Sequence, residues 1–249
     1  MPIYNDKEVI QIRIPKTAST SMSTALGGEE GVVGYRAHGS NRIHSTIAEI
    51  QTELDRDKFD TYFKFSFVRN PFDWFVSNNI YFKDGNYKAS RGISIEEWIF
   101  GLGRVAESRD GDYSKYNPYI NHKIHNSFIH NGNSSVVSCG HARCSAIGGA
   151  RQCNCLGASQ RSWVLYKDKV AVDFVGKLES LSEDWAFVSD RVGHGVPSVL
   201  PHDNKREHSK SSYLSNFKDE RVVEVVYNLF KEDCELFGYD ANDYPGFKS

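Results

Sequence analysis

The stretch from Glu8 to Leu26, EVIQIRIPKTASTSMSTAL, decides how the chain is read. Ile10, Ile12 and Ile14 fall on one side of an alternating run and Gln11 and Arg13 on the other, the period of two that marks a β-strand. Pro15 stops the strand, and the small hydroxyl-rich run from Thr17 to Leu26 predicts a helix closed by Gly27, Gly28 and Gly31. A lysine at the exit of a buried strand, with hydroxyls at a helix N-terminus, is a natural anion cradle. Backbone N–H groups and the helix dipole favour a phosphate there, and Lys16 supplies a point charge. The spacing is not that of the nucleotide-triphosphate loop GxxxxGK[ST], because no glycine precedes Lys16 in that frame. The competing reading is an ordinary capped helix beside a solvated lysine.

A second turn of the same kind follows. Phe63, Phe65 and Phe67 alternate through Tyr62–Val68, a second buried strand, and Asn70-Pro71 breaks it before a helix over Phe72–Phe82. Arg69 stands where that strand ends, and Ser77 lies eight residues on, about two helical turns along. Arginine offers a planar fork to a phosphate and serine a hydroxyl; taken alone, Arg69 reads more simply as half of a structural ion pair. Between the turns, Ile43, Ile47, Ile50 and Leu54 recur at helical spacing, with His44 and Ser45 in the first turn. Later in the chain, Val170–Val175 predicts a third strand. Ser94–Glu97 and Ser180–Glu183 read as capping boxes, the second for a helix ending near Gly193, and Phe217–Phe237 as a last helix with Val222, Val223, Val226, Phe230 and Phe237 on one face. Strands alternating with helices predict an α/β fold around a parallel sheet.

The 249 residues suit one domain with a sizeable core, and 39% apolar with 25% charged residues excludes a membrane bundle and a disordered acidic or basic chain. A formal net charge of −2 argues against coating nucleic acid but leaves room for a local anion site. No run approaches the roughly 20 apolar residues that span a bilayer. MPIYNDKEVIQIRIPK lacks the pattern of a signal peptide, so the expectation is a cytoplasmic protein with neither a membrane nor a nucleic acid as partner. Residues 108–159 are rich in Gly, Ser, Asn and His without periodicity and read as an insertion or acceptor-facing segment within that single domain.

Taken together, the two turns resemble the PAPS-dependent sulfotransferases, particularly the carbohydrate-type family (sulfotransferase family 2-like), with its patterns PKTAGTS and FVRNPxDRxxS. Val172-Asp-Phe-Val-Gly-Lys-Leu-Glu179 and Glu232-Asp-Cys-Glu-Leu-Phe-Gly-Tyr239 resemble two further segments of that family, in the expected order. The resemblance implies a P-loop-like three-layer fold whose central, mostly parallel sheet is flanked by helices. It implies that Lys16, Thr17, Ala18, Ser19, Thr20 and Ser21 grip the 5′-phosphosulfate of 3′-phosphoadenosine 5′-phosphosulfate (PAPS). Arg69 and Ser77 grip its 3′-phosphate, and Lys205 and Arg206, in a late basic loop, reach a phosphate. Lys16 stabilises the leaving group, no metal is required, and the acceptor is a carbohydrate or another small molecule. His44 is the candidate general base, because family members with known bases carry a histidine or glutamate in this region; His38 is the reserve. Two positions depart from the pattern. Ser19 stands where the family often has glycine, and Trp74 where it has Arg or Lys, so Trp74 is expected in the core.

Of the five cysteines, four cluster as Cys139-x4-Cys144-x8-Cys153-x-Cys155 near several histidines. Zinc knuckles usually show paired C-x2–4-C spacing, which this run lacks, so disulfides or free thiols fit it better than a metal. Two other functions compete with sulfate transfer: a P-loop-type nucleotide kinase, and a zinc-stabilised binding module without catalysis.

Overall fold

The structure, a computed structural model, describes residues 3–28, 44–81, 159–193, 195–201, 217 and 220–240. The predicted capping box at Ser94, His38, the Cys139–Cys155 cluster, and Lys205 and Arg206 lie outside the described residues. Strand β1 (Ile3–Tyr4) turns back into β2 (Val9–Ile12), after which come α1 (Ser19–Ala25), α2 (Ile47–Glu53) and α3 (Arg56–Thr61). Strand β3 (Phe63–Val68) leads directly into α4 (Pro71–Tyr81). Past the middle of the chain lie α5 (Arg161–Val164), the short strands β4 (Leu165–Tyr166) and β5 (Lys169–Val170), β6 (Phe174–Lys177), α6 (Leu181–Val192) and α7 (Glu220–Phe237).

The main sheet has the order β1-β2-β3-β6, with β2, β3 and β6 parallel and β1 antiparallel at one edge. This is the mixed α/β architecture, a mostly parallel sheet flanked by helices, that the alternation of elements predicts. The third strand differs from the expected Val170–Val175. Val170 belongs to the β4–β5 hairpin, and the parallel strand begins only at Phe174. The break falls at Asp173. Its carboxylate accepts from the Lys64 N–H at 2.7 Å and its own N–H donates to the Lys64 carbonyl at 2.8 Å, so the chain enters the sheet there.

The alternation in β2 is real, but neither face meets water: Ile10 and Gln11 are 0% and 1% exposed. Central parallel strands are covered on both sides, so a polar residue here lines an interior rather than a surface. Gln11 shows what that interior does. Tyr4 donates to Ser23 Oγ at 2.9 Å, Ser23 donates to Gln11 Oε1 at 2.9 Å, and Gln11 Nε2 donates to the Ser19 carbonyl at 3.0 Å. The relay pins α1 to the strand that precedes it. Beneath it Tyr4, Val9, Met22, Leu26, Phe65, Phe67, Trp185 and Val188 form one apolar core. In β6, Gly176 pairs with Phe67 of β3, and a Cβ there would sit 2.6 Å from the Phe67 ring, so any larger residue has to displace that buried ring.

Two helix starts differ from expectation. Thr46 and Glu49 exchange bonds as a capping box, Thr46 N–H to Glu49 Oε2 at 2.9 Å and Glu49 N–H to Thr46 Oγ1 at 3.3 Å; α2 therefore begins after His44 and Ser45. At α6, Ser180 makes no cap hydrogen bond. Its hydroxyl donates to Asp184 Oδ2 at 2.6 Å, and that oxygen also accepts from the Lys177 N–H at 2.6 Å, tying the helix to the end of β6.

The described residues fall into two compact units. The first holds the chain up to Arg69 and from Gln160 to residue 201; the second holds α4 and α7. Within the second, Trp74 is 2% exposed and meets Phe230 edge-to-face at 5.7 Å, the core position expected of it. Val223, Val226, Phe230 and Phe237 form the buried face of α7. Among the described residues, no helix is long and apolar enough to cross a membrane.

Candidate active site

The exit of β2 assembles the candidate residues of the first unit. Lys16 and Ala18 both have left-handed backbone, φ 65° and 58°, a conformation that costs an L-residue about 1–2 kcal/mol. Strain of this kind persists only where the surroundings enforce it, and it gathers at functional sites. Between the two, Thr17 is 1% exposed and donates its hydroxyl to the Ile14 carbonyl at 2.9 Å, which closes the turn on itself. Its proton is thus committed within the loop. The expected helix over Thr17–Leu26 accordingly starts two residues late, at Ser19, with Ala18 as a cap that makes no side-chain hydrogen bond. Ser19 and Ser21 are buried, Thr20 is exposed and Lys16 is half-buried. Ser19 is the first helical residue and is absent from the positive-φ positions, so serine in place of the family's glycine adds no strain.

Arg69 comes to the same turn. It is the first residue beyond β3, 8% exposed, and its Nη1 donates to the Lys16 carbonyl at 3.4 Å. Two cationic residues 53 positions apart in sequence therefore share one turn. The Arg69 main chain is held by Gln160, whose Oε1 accepts from the Arg69 N–H at 2.8 Å and whose Nε2 donates to the Arg69 carbonyl at 2.7 Å.

His44 meets the chain just ahead of this turn. Its Nδ1 lies 2.7 Å from the Arg13 carbonyl, three residues before Lys16. A carbonyl oxygen only accepts, so Nδ1 carries the proton and the lone pair is on Nε2. Trp163 packs edge-on to the imidazole at 6.2 Å, with its indole N–H buried. Burial lowers the His44 pKa to about 4; the Arg13 hydrogen bond opposes that shift and the Arg13 charge adds to it. Desolvation thus keeps the imidazole neutral.

Lys16, His44 and Arg69 accordingly meet the same strand exit, between the Arg13 and Lys16 carbonyls. Ser77 belongs to the second unit, 9% exposed on α4. Sequence reasoning missed Gln160, the Gln11–Ser23 relay and the Thr46–Glu49 capping box. Only the last had a local signal, Thr46-x-x-Glu49. A cavity of about 500 Å³ lies elsewhere, lined by Thr24, Ala25, Pro197, Val199 and Leu200 at the C-terminal end of α1, and takes no part in this site. Among the described residues, no group of three or more His, Cys, Asp and Glu is arranged to hold a metal ion. Cys234, the fifth cysteine, is buried in α7, and desolvation raises its thiol pKa to about 12, which leaves it inert as a nucleophile.

A parallel α/β sheet with cationic residues at two strand exits is an architecture suited to binding an anionic group. A family model described as the sulfotransferase family matches residues 3–240, almost the entire chain, and the chain belongs to that family. Comparison with curated proteins and with solved structures gave no match. The protein is thus an enzyme that transfers sulfate.

Proposed function

We propose that the chain transfers a sulfuryl group from PAPS to the hydroxyl of a carbohydrate or small natural product. The reach of Arg69 to the carbonyl of Lys16, at 3.4 Å, carries this reading. One ligand bearing anionic groups at two ends meets both cations there, and PAPS, the donor typical of the family, has that form. A dianion fits the residues present: a half-buried lysine, a buried arginine and the hydroxyls of Ser19, Thr20 and Ser21 around one strained turn. The family match runs from residue 3 to 240, which supports a single sulfotransferase domain; its P-loop-like type and residues 108–159 as an acceptor-side segment are taken from the resemblance and the sequence pattern.

Each residue then has a task. The residues from Lys16 to Ser21 hold the 5′ side, Lys16 countering the charge that develops on the bridging oxygen as its bond to sulfur breaks. Arg69 takes the 3′-phosphate with its planar fork; Ser77 is assigned to the same phosphate by resemblance alone. Lys205 and Arg206 are assigned to a phosphate by resemblance alone. As the acceptor oxygen bonds to sulfur, its proton passes to His44 Nε2, and adenosine 3′,5′-bisphosphate leaves. A pKa of about 4 keeps His44 in the accepting form throughout the neutral range. Such a modest base suffices where the transition state is loose and the acceptor gives up its proton late.

Thermal denaturation with adenosine 3′,5′-bisphosphate and with ATP tests the reading. Stabilisation by micromolar bisphosphate, with indifference to ATP, is expected. Stabilisation by ATP and magnesium alone indicates a nucleotide kinase, and response to zinc but to neither nucleotide a binding module. Either result overturns the proposal.

A further inference from the structure

Gln160 has no task in that scheme, yet its side chain makes the two short hydrogen bonds that hold the Arg69 main chain. It is 0% exposed and lies 91 residues away in sequence. The parallel ladder between β3 and β6 ends at Val68 and Lys177, so Arg69 is the first residue past it. A buried backbone N–H and C=O need partners wherever the ladder stops. Gln160 supplies both at once. One planar amide accepts from the Arg69 N–H at 2.8 Å and donates to the Arg69 carbonyl at 2.7 Å. Turning residue 69 about either backbone torsion breaks one of the two bonds. A neutral amide presents a donor and an acceptor together in this way; an ionised carboxylate accepts without donating, and a thioether of similar volume replaces neither bond.

We propose that Gln160 is a positioning residue for nucleotide recognition. By fixing the main chain of Arg69 it delivers the guanidinium to the Lys16 turn, and so sets how strongly the enzyme prefers a nucleotide bearing a 3′-phosphate. The inference rests on the assignment of Arg69 to that phosphate. Misplacing a binding group by about 1 Å is enough to cost up to about a hundredfold in function.

Calorimetric titration with adenosine 3′,5′-bisphosphate and adenosine 5′-monophosphate, which differ only in the 3′-phosphate, reads the effect directly. Wild type is expected to prefer the bisphosphate. Gln160→Met, which keeps the volume and loses both bonds, should weaken the bisphosphate about tenfold or more while the monophosphate changes by less than about threefold. Gln160→Glu keeps the bond to the Arg69 N–H and should fall between the two; it decides the question if Gln160→Met does not fold. In an Arg69→Ala background the preference is already gone, and Gln160→Met should remove nothing further. Equal losses for both nucleotides, or a preference unchanged in a folded variant, overturn the positioning role. A wild-type enzyme that binds the two nucleotides equally overturns the assignment of Arg69 itself, a result seen before any variant is made.

Discussion

At the end of β2 the chain leaves the sheet through Lys16 and Ala18, both at positive φ, and enters a helix whose cap makes no side-chain bond. At the end of β3 it leaves through Arg69 and Asn70 with neither residue at positive φ. The Asn70 side chain accepts from the N–H groups of Phe72 at 3.1 Å and Asp73 at 3.4 Å, at the start of α4. The first turn is held by its own short-range bonds and by the Gln11 relay from the strand beside it. The second is conformationally ordinary and is clamped from a remote part of the chain. Strain at the first turn fixes the lysine proposed to act on the breaking bond, where small displacements matter most. Clamping at the second orients a group proposed only to bind.

Removing each cation is the strongest test of that division. Lys16→Ala should lower kcat about 10²–10³-fold, the usual loss when one stabilising donor is taken from a developing charge, with bisphosphate binding weakened by a much smaller factor. Arg69→Ala should act mainly on binding, weakening the bisphosphate about a hundredfold through loss of a buried charged partner. Steady-state kinetics with parallel titrations separate the two, and identical kcat and binding defects in both variants would erase the distinction.

How much of this is legible in sequence follows from the range of the interactions. Alternation at Ile10–Ile14 and Phe63–Phe67 locates two central strands, since period two survives even where both faces are buried. The Lys16 and Arg69 turns are legible because strand end, breaker and hydroxyl or proline lie within a few residues. The same local patterns overreach at helix starts. Ser180 looks like a cap, but its side chain turns to donate to Asp184, four residues on, and accepts from no N–H of the first turn. His44 looks like a first-turn residue, but the Thr46–Glu49 exchange starts the helix after it. Val170–Val175 looks continuous, but Asp173 breaks it by bonding to the Lys64 main chain. Gln160 leaves no trace at all, because its partner is backbone, which has the same chemistry at nearly every position.

His44 sits on the strained side of the comparison, and its loss should reach turnover as strongly as the loss of Lys16. His44→Asn should reduce turnover about 10²–10⁴-fold while the protein folds and still answers to bisphosphate. With a folded pKa of about 4, the acid limb of kcat/KM should fall near pH 4 rather than near the ordinary histidine value of 6.5. The sign for stability follows from the same shift. Between pH 6.5 and 4 the unfolded chain binds a proton at His44 and the folded chain does not. Stability therefore drops as pH falls through that window, by roughly 3 kcal/mol in all, and levels off below it. Denaturant titrations across the window should show this slope in wild type and its absence in His44→Asn. A wild-type slope of the same size in the variant would assign it to other groups.

The smallest effects bear on strain itself. Ala18→Gly removes a left-handed cost of about 1–2 kcal/mol and adds about 0.5–1 kcal/mol of unfolded-state entropy, so it should stabilise by roughly 0.5–1 kcal/mol. Asn70→Ala loses a helix cap and should destabilise by about 1 kcal/mol. Urea midpoints at constant slope measure both. The opposite signs are the point: a turn held in an unfavourable conformation gains from relief, and a turn held by a good cap only loses. Turnover should move the other way at Ala18, falling severalfold as the residue beside Thr17 becomes free to leave the left-handed region and Lys16 with it. A glycine that destabilises the fold, or that stabilises it with turnover intact, would mean that the backbone of this turn contributes nothing to holding the lysine.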